Sequence, residues 1–161
     1  MPHNESWIEL FPIFSLKRQL KNHNKINQAI YDHVVKLYND EDYKYMKKSI
    51  KGSDAWQSDF SIIESECIEQ LKPFLVKSIE ESCILIYGYN LSFEVTLWVN
   101  ISPKYCYNST HAHPGCQLAG VYYVRIPKTD VRSGILVIHH PFGVLSESLG
   151  TMYNNIEINP Q

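Results

Sequence analysis

The sequence predicts an α+β protein in which the helices come first and the strands follow. Two changes of pattern support this class. In the first half of the chain, apolar residues recur every three or four positions, as on one face of a helix. From residue 93 onward they alternate with polar residues, as in a strand with one face on a core. The 161 residues are expected to form one domain, helical over 1–90 and β-rich over 91–161.

The composition excludes several classes of partner and location. Lysine and arginine total 15 against 17 acidic residues, a net charge of −2, so bulk charge offers no support for nucleic-acid binding. The apolar runs are much shorter than the roughly 20 residues that cross a bilayer, and the first residues do not form a signal peptide. We therefore expect a cytoplasmic protein with no membrane partner. The four cysteines form no CxxC pair and are expected to be reduced.

The helical half begins with an apolar stretch at 7–14 that contains a proline, which is typical of an edge strand or an extended arm. The periodicity then predicts an amphipathic helix over 25–38 with Asn24 as its N-cap. Residues 40–59 are polar and are interpreted as a surface loop.

A second helix is predicted over 61–83, kinked or divided in two by Pro73. Strands follow it. The alternating pattern places them at 93–101, 118–126, 134–139 and 152–158.

A histidine pair is the first sign of chemistry. His111 and His113 flank Ala112, and in an extended segment both imidazoles would lie on one face, close enough to share a metal ion. Neutral imidazole is the commonest protein ligand for transition metals. The alternative is that both are ordinary polar residues at a strand edge, before the turn at Pro114-Gly115.

The surrounding motifs carry a family resemblance. Trp98-Val99-Asn100 precedes His111-Ala112-His113-Pro114, which is followed by Gly120-Val121-Tyr122-Tyr123. Outside this stretch are Trp56-Gln57-Ser58 and Ser133-Gly134-Ile135-Leu136-Val137. In this order the motifs resemble those of the iron(II)- and 2-oxoglutarate-dependent oxygenases of bacteria and tailed phages. The resemblance runs from about residue 8 to residue 141.

The resemblance implies a double-stranded β-helix, the cupin-like jelly roll, supported by N-terminal helices. It implies Fe(II) and 2-oxoglutarate as cofactors, with dioxygen and an unknown substrate that is hydroxylated as succinate forms. His111 would be the first iron ligand, and His113 stands where the family commonly has a carboxylate. Asn100 and Tyr122 or Tyr123 would contact 2-oxoglutarate. Core packing is the alternative role for the two tyrosines.

The sequence departs from the family near its end. The family also uses a distal histidine and then a basic residue, whereas 133–161 contains no lysine or arginine. His139 and His140 are neighbours, so at most one of them could join the first pair. Acidic alternatives for a third ligand are Asp130, Glu147 and Glu157.

The expectation is therefore an incomplete jelly roll that lacks its closing strands. A truncated or split gene, a homodimer or a complementing second chain would explain it, and the isolated chain would then be inactive. The alternative function is a non-catalytic binding or structural module with a vestigial metal site. A hydrolytic zinc site ranks last because no general base stands beside the pair.

Overall fold

The computed structural model describes residues 14–40, 43, 55–127 and 134–139, and the backbone of 156–158. The chain divides into two compact units, Met1–Leu118 and Ala119–Gln161. The expectation of a single domain stays a prediction. Within the described ranges, no helix has the length and apolar character needed to cross a membrane.

Among the described residues, the first unit contains helices and short strands, and the second contains short strands alone. The first unit contains, in chain order, α1 (His23–Asn39), β1 (Trp56–Gln57), a 3-10 helix (Phe60–Glu64), α2 (Glu66–Glu69), α3 (Lys72–Tyr87) and β2 (Asn100–Ile101). The second contains β3 (Leu136–Ile138) and β4 (Ile156–Ile158). β1 pairs with β2, and β3 with β4, each time antiparallel. This mixture is compatible with the predicted α+β class.

The first predicted helix is confirmed as α1, but its N-cap is not Asn24. The helix begins at His23, after Asn22, whose φ of 57° lies in the left-handed region. Asparagine tolerates this conformation better than other residues with a side chain. Ile30 and Val34 are buried on the predicted apolar face.

The second predicted helix is divided, as Pro73 suggested. A 3-10 helix and the one-turn α2 precede α3, and Pro73 lies in the first turn of α3. A proline costs no hydrogen bond there because the first N–H groups of a helix have no intrahelical acceptor. The helix ends at Gly88, whose φ of 81° suits a glycine C-cap.

The loop predicted over 40–59 is wrong at its C-terminal end. Trp56 is 1% exposed, Ser58 is also buried, and β1 runs through this segment. The rings of Tyr38 and Tyr43 lie against the Trp56 indole, each with its ring centroid 6.2 Å away. One large aromatic residue in a polar stretch has thus become the centre of a core. Residues 41–42 and 44–54 lie outside the described residues.

The predicted strand at 93–101 forms a ladder only at its end, in β2. Its alternation is still visible in the packing, because Val95 and Leu97 line a small pocket together with Leu75 of α3. The predicted strand at 118–126 forms no ladder. Alternation favours an extended strand, but only a neighbouring strand supplies the hydrogen bonds that make a sheet.

The predicted strand at 134–139 is shortened to β3, and β4 is the described part of the predicted strand at 152–158, with Val137 opposite Glu157. In the described ranges there are two separate two-stranded sheets and no jelly roll. The predicted arm lies outside the described residues except for its last position, Phe14, which is exposed. Residues 152–155 also lie outside them.

Replacing Trp56 tests the aromatic core. Trp56→Ala should lower the free energy of unfolding by about 3–5 kcal/mol, the usual cost of truncating a buried aromatic residue. Trp56→Phe should cost clearly less, because the buried indole N–H has no hydrogen-bond partner among the described residues and phenylalanine removes it. Urea unfolding measures both values. Equal losses in the two variants would contradict this account.

Asp59 caps the 3-10 helix and should make part of its stability depend on pH. Its carboxylate accepts hydrogen bonds from the Ser61 hydroxyl at 2.7 Å, the Ser61 N–H at 3.1 Å and the Tyr43 hydroxyl at 3.1 Å. The Ser61 hydroxyl contributes most to lowering the pKa of Asp59. A lowered pKa stabilises the fold above the unfolded value of about 3.9, and this contribution is lost as the pH falls through the folded pKa.

Asp59→Ala should therefore cost about 1 kcal/mol at neutral pH, the usual value for an N-cap. The difference from the wild type should stay constant above about pH 5 and shrink below about pH 4. Urea unfolding across this range is the measurement. Asp59→Asn is the control, since it keeps a capping oxygen without titrating. If the difference in unfolding free energy between the wild type and Asp59→Ala stayed the same at low pH, ionisation of Asp59 would not contribute to stability.

Candidate metal centre

Four aromatic rings form a continuous row in the first unit, which we call the ring row. The His111 and His113 ring centroids are 4.9 Å apart, with 78° between the ring planes. The His113 ring lies 5.7 Å from the Trp98 indole, and that indole lies 5.8 Å from the Phe60 ring. The two predicted site histidines are therefore adjacent, with His113 packed on a tryptophan.

A turn follows directly after His113. The Cys116 N–H donates to the His113 carbonyl at 3.1 Å, and Gly115 between them has a φ of 83°. Proline at the second position and glycine at the third are typical of a type II turn, which requires positive φ at the third. Pro114-Gly115 thus supplies the turn chemistry that the sequence predicted, and the chain reverses beside the histidine.

The His111 ring is oriented by its own backbone. Its Nδ1 lies 2.6 Å from the Ser109 carbonyl oxygen. A carbonyl can only accept, so Nδ1–H is the donor, and in a neutral imidazole Nε2 then carries the lone pair. Metal-binding histidines commonly make such a bond with the ring nitrogen that does not bind the metal. Because His111 is exposed, this lone pair is open to a ligand.

The distance between the two ring centroids is compatible with two ligands of one ion. For two imidazole ligands with metal–nitrogen distances of about 2.1 Å and a nitrogen–metal–nitrogen angle of about 90°, the ring centroids lie roughly 4.6 Å apart. The separation of 4.9 Å is close to this value. Within the described ranges, no group of three or more His, Cys, Asp or Glu residues could hold an ion. The described residues therefore bring together the two histidines that the sequence predicted as ligands, without a third candidate beside them.

The segment that carries the histidines differs from the expected strand, since residues 111–113 have no regular secondary structure. Ring proximity here depends on the turn after His113, the Ser109 contact and the Trp98 packing. Metal binding by the pair stays a prediction.

Trp98 is placed by its neighbour Val99. The Ser58 N–H donates to the Val99 carbonyl at 2.9 Å, and the Val99 N–H donates to the Ser58 hydroxyl at 2.9 Å. The same hydroxyl donates to the Asp59 carbonyl at 2.8 Å. Ser58 is only 4% exposed, so leaving any of these groups unpaired would be costly. This clamp fixes the backbone next to the indole that contacts His113.

Asn100 lies in β2 and is exposed. It is two residues from Trp98, and side chains two apart on an extended chain share a face. The structure thus places Asn100 on the side of the chain that contacts His113. Its predicted contact with 2-oxoglutarate stays a prediction.

The two predicted tyrosines belong to the second unit. Tyr122 and Tyr123 are both half-buried, and burial raises the pKa of each phenol above its ordinary value. Each hydroxyl therefore stays neutral at physiological pH. Their roles in cosubstrate binding or in core packing both stay open.

The alternative third ligands are largely outside the described residues. This applies to His140, Asp130 and Glu147. His139 is exposed and lies just after β3, and Glu157 lies in β4.

Phe60 and Ser58 are the site residues that sequence reasoning did not single out. Phe60 is separated from Trp98 by 38 positions along the chain, so no local pattern relates the two rings. Ser58 had a signal, because it ends the motif Trp56-Gln57-Ser58, but the motif alone does not reveal which backbone its hydroxyl would bind.

Comparison with protein families gives a match over residues 96–156 to the family described as "Putative 2OG-Fe(II) oxygenase". The matched range includes both histidines and Asn100. It supports an oxygenase-like protein of the kind that uses Fe(II) and 2-oxoglutarate. Searches of curated proteins and of solved structures found no significant match.

Replacing Trp98 tests the packing of the ring row. Trp98→Ala removes the indole, and with it the ring-current shift that the indole imposes on nearby protons. The ring C–H resonances of His113 should therefore change in chemical shift. Those of His23, in the first turn of α1, should not change. Two-dimensional NMR of the histidine rings measures both. Unchanged His113 signals in the folded variant would contradict the contact.

Proposed function

We propose that the protein is an Fe(II)/2-oxoglutarate-dependent dioxygenase-like protein that hydroxylates a substrate not yet identified and converts 2-oxoglutarate to succinate. One observation carries the proposal. The rings of His111 and His113 lie side by side within a segment that matches the oxygenase family.

The two histidines would supply two metal ligands. Imidazole nitrogen suits Fe(II), and an open coordination site beside a histidine pair is typical of non-haem iron oxygenases. An iron ion held here would let dioxygen act as the oxidant, with one oxygen atom going to 2-oxoglutarate, which loses carbon dioxide to become succinate, and the other to the hydroxylated substrate. Because His113 stands where the family commonly has a carboxylate, the two histidines bring no negative charge to the ion. A third ligand with a negative charge would therefore bind the ion more strongly than a neutral one.

The neighbouring residues orient this pair. The Ser109 carbonyl holds the tautomer of His111 that leaves Nε2 open. The Trp98 indole packs against His113 and restricts the rotation of its ring. Asn100, on the side of the chain that carries Trp98, is the proposed amide contact to 2-oxoglutarate, and Tyr122 or Tyr123 is the further proposed contact.

The partners and the location belong to the same proposal. Dioxygen and the unidentified substrate are the small-molecule partners. A homodimer or a complementing second chain is the proposed source of ligands beyond the histidine pair. The cytoplasm is the proposed location.

Metal and cosubstrate titration tests the assignment. Anaerobic addition of Fe(II) and then 2-oxoglutarate should produce the weak visible absorption band of the chelated cosubstrate, and exposure to air should yield succinate. His111→Ala and His113→Ala should each lower the affinity for Fe(II) by more than about tenfold, because each removes a ligand. His23→Ala, at the half-buried first residue of α1, is the matched control and should bind like the wild type.

Two outcomes would decide against the proposal. Fe(II) affinity that is equal in His111→Ala, His113→Ala and the control would remove the metal role of the pair. Strong Fe(II) binding without the visible band and without succinate would favour the non-catalytic module instead.

A further inference from the structure

The register between β1 and β2 shows which side chains lie on each face of this short sheet. Trp56 lies opposite Ile101, and Gln57 lies opposite Asn100. Residues that face each other across an antiparallel pair project to the same side, and successive residues alternate. Trp56 and Ser58 are buried, so they belong to the side that packs on the core. Gln57 is half-buried and belongs to the opposite side.

The side that carries Gln57 also carries Trp98, one of the four rings of the ring row. Asn100 shares this side with Gln57 through the register, and Trp98 shares it with Asn100 through the alternation along the chain. The Ser58 N–H bond to the Val99 carbonyl extends the register towards Trp98. Since the indole contacts His113, one face holds both amide side chains and leads to the histidine pair.

The two amides are arranged to bind one group. Directly opposite residues have their Cβ atoms about 4.5–5.5 Å apart, so two amide NH₂ groups can reach the oxygens of a single carboxylate. In the described part of the chain, neither Gln57 nor Asn100 makes a side-chain hydrogen bond that would occupy its amide. Both are therefore able to donate to a ligand.

Asp59 is the nearest acidic competitor for these donors, as the next residue on the same side of β1. Its carboxylate already accepts two hydrogen bonds from Ser61 and one from Tyr43. These bonds hold it at the start of the 3-10 helix. The amides of Gln57 and Asn100 are hydrogen-bond donors on the face that leads to the histidines.

We propose that Gln57 is a binding residue for 2-oxoglutarate, acting with Asn100 by donating an amide N–H to one carboxylate of the cosubstrate. The inference rests on the proposed function, since it needs 2-oxoglutarate at the histidine pair. It adds a residue from β1, 54 positions before His111, to a site otherwise built from the segment around residues 98–113.

Equilibrium dialysis with labelled 2-oxoglutarate in the presence of Mn(II) tests the role without catalysis. Gln57→Ala should weaken 2-oxoglutarate binding about tenfold, since a hydrogen bond to a charged group is lost, and should leave Mn(II) affinity unchanged. Gln57→Glu has nearly the same shape but repels a carboxylate, so it should weaken binding further. Gln70→Ala, at an exposed glutamine between α2 and α3, is the matched control and should bind normally.

The double variant Gln57→Ala/Asn100→Ala shows whether the two amides bind the same carboxylate or different groups. If both amides hold one carboxylate, the effects of Gln57→Ala and Asn100→Ala should not add. Circular dichroism and thermal unfolding establish that each variant is folded. Unchanged 2-oxoglutarate affinity in folded Gln57→Ala, or an equal loss of Mn(II) affinity, would overturn the inference while the proposed function stands. Wild-type protein that binds Mn(II) but no 2-oxoglutarate would overturn both.

Discussion

The contact between Ser58 and Val99 is the constraint on which the candidate site depends. Two hydrogen bonds of 2.9 Å join these residues, one to a backbone carbonyl and one to a buried hydroxyl. A buried hydroxyl that lost its partners would cost about 1–3 kcal/mol, so the register of the two strands has little freedom to slip. A slip by one residue would exchange the two faces of the strand and turn Trp98 away from His113.

This constraint explains how a very short ladder can organise a site. β1 and β2 have only two residues each, yet one face of the pair is anchored by Trp56, which is 1% exposed. The other face is not buried in this core, and its side chains are half-buried or exposed. Gln57, Trp98 and Asn100 lie on it, and packing of the indole on His113 connects that face to the histidine pair. The core and the candidate site therefore lie on opposite faces of this pair of strands.

Helices were predictable because their signal is local. The apolar repeat located α1 to within two residues at its start, and Pro73 predicted the division before α3. Strand pairing was not predictable from the sequence, because the alternation at 93–101 and 118–126 shows which side of the chain is apolar but not which strand pairs with it. The end of 40–59 was misread for a related reason. Its average polarity concealed the burial of Trp56, which depends on rings from Tyr38 and Tyr43.

The sequence by itself determined the helical segments, the turn after His113 and the identity of the histidine pair, since each depends on residues near one another in the chain. Tertiary structure decided which rings and backbones meet. Phe60 lies beside Trp98, Ser58 holds Val99, and Gln57 faces Asn100, in each case across about 40 residues of chain. Such contacts are selected by burial and by the pairing of buried polar groups over the whole unit, which no local pattern records.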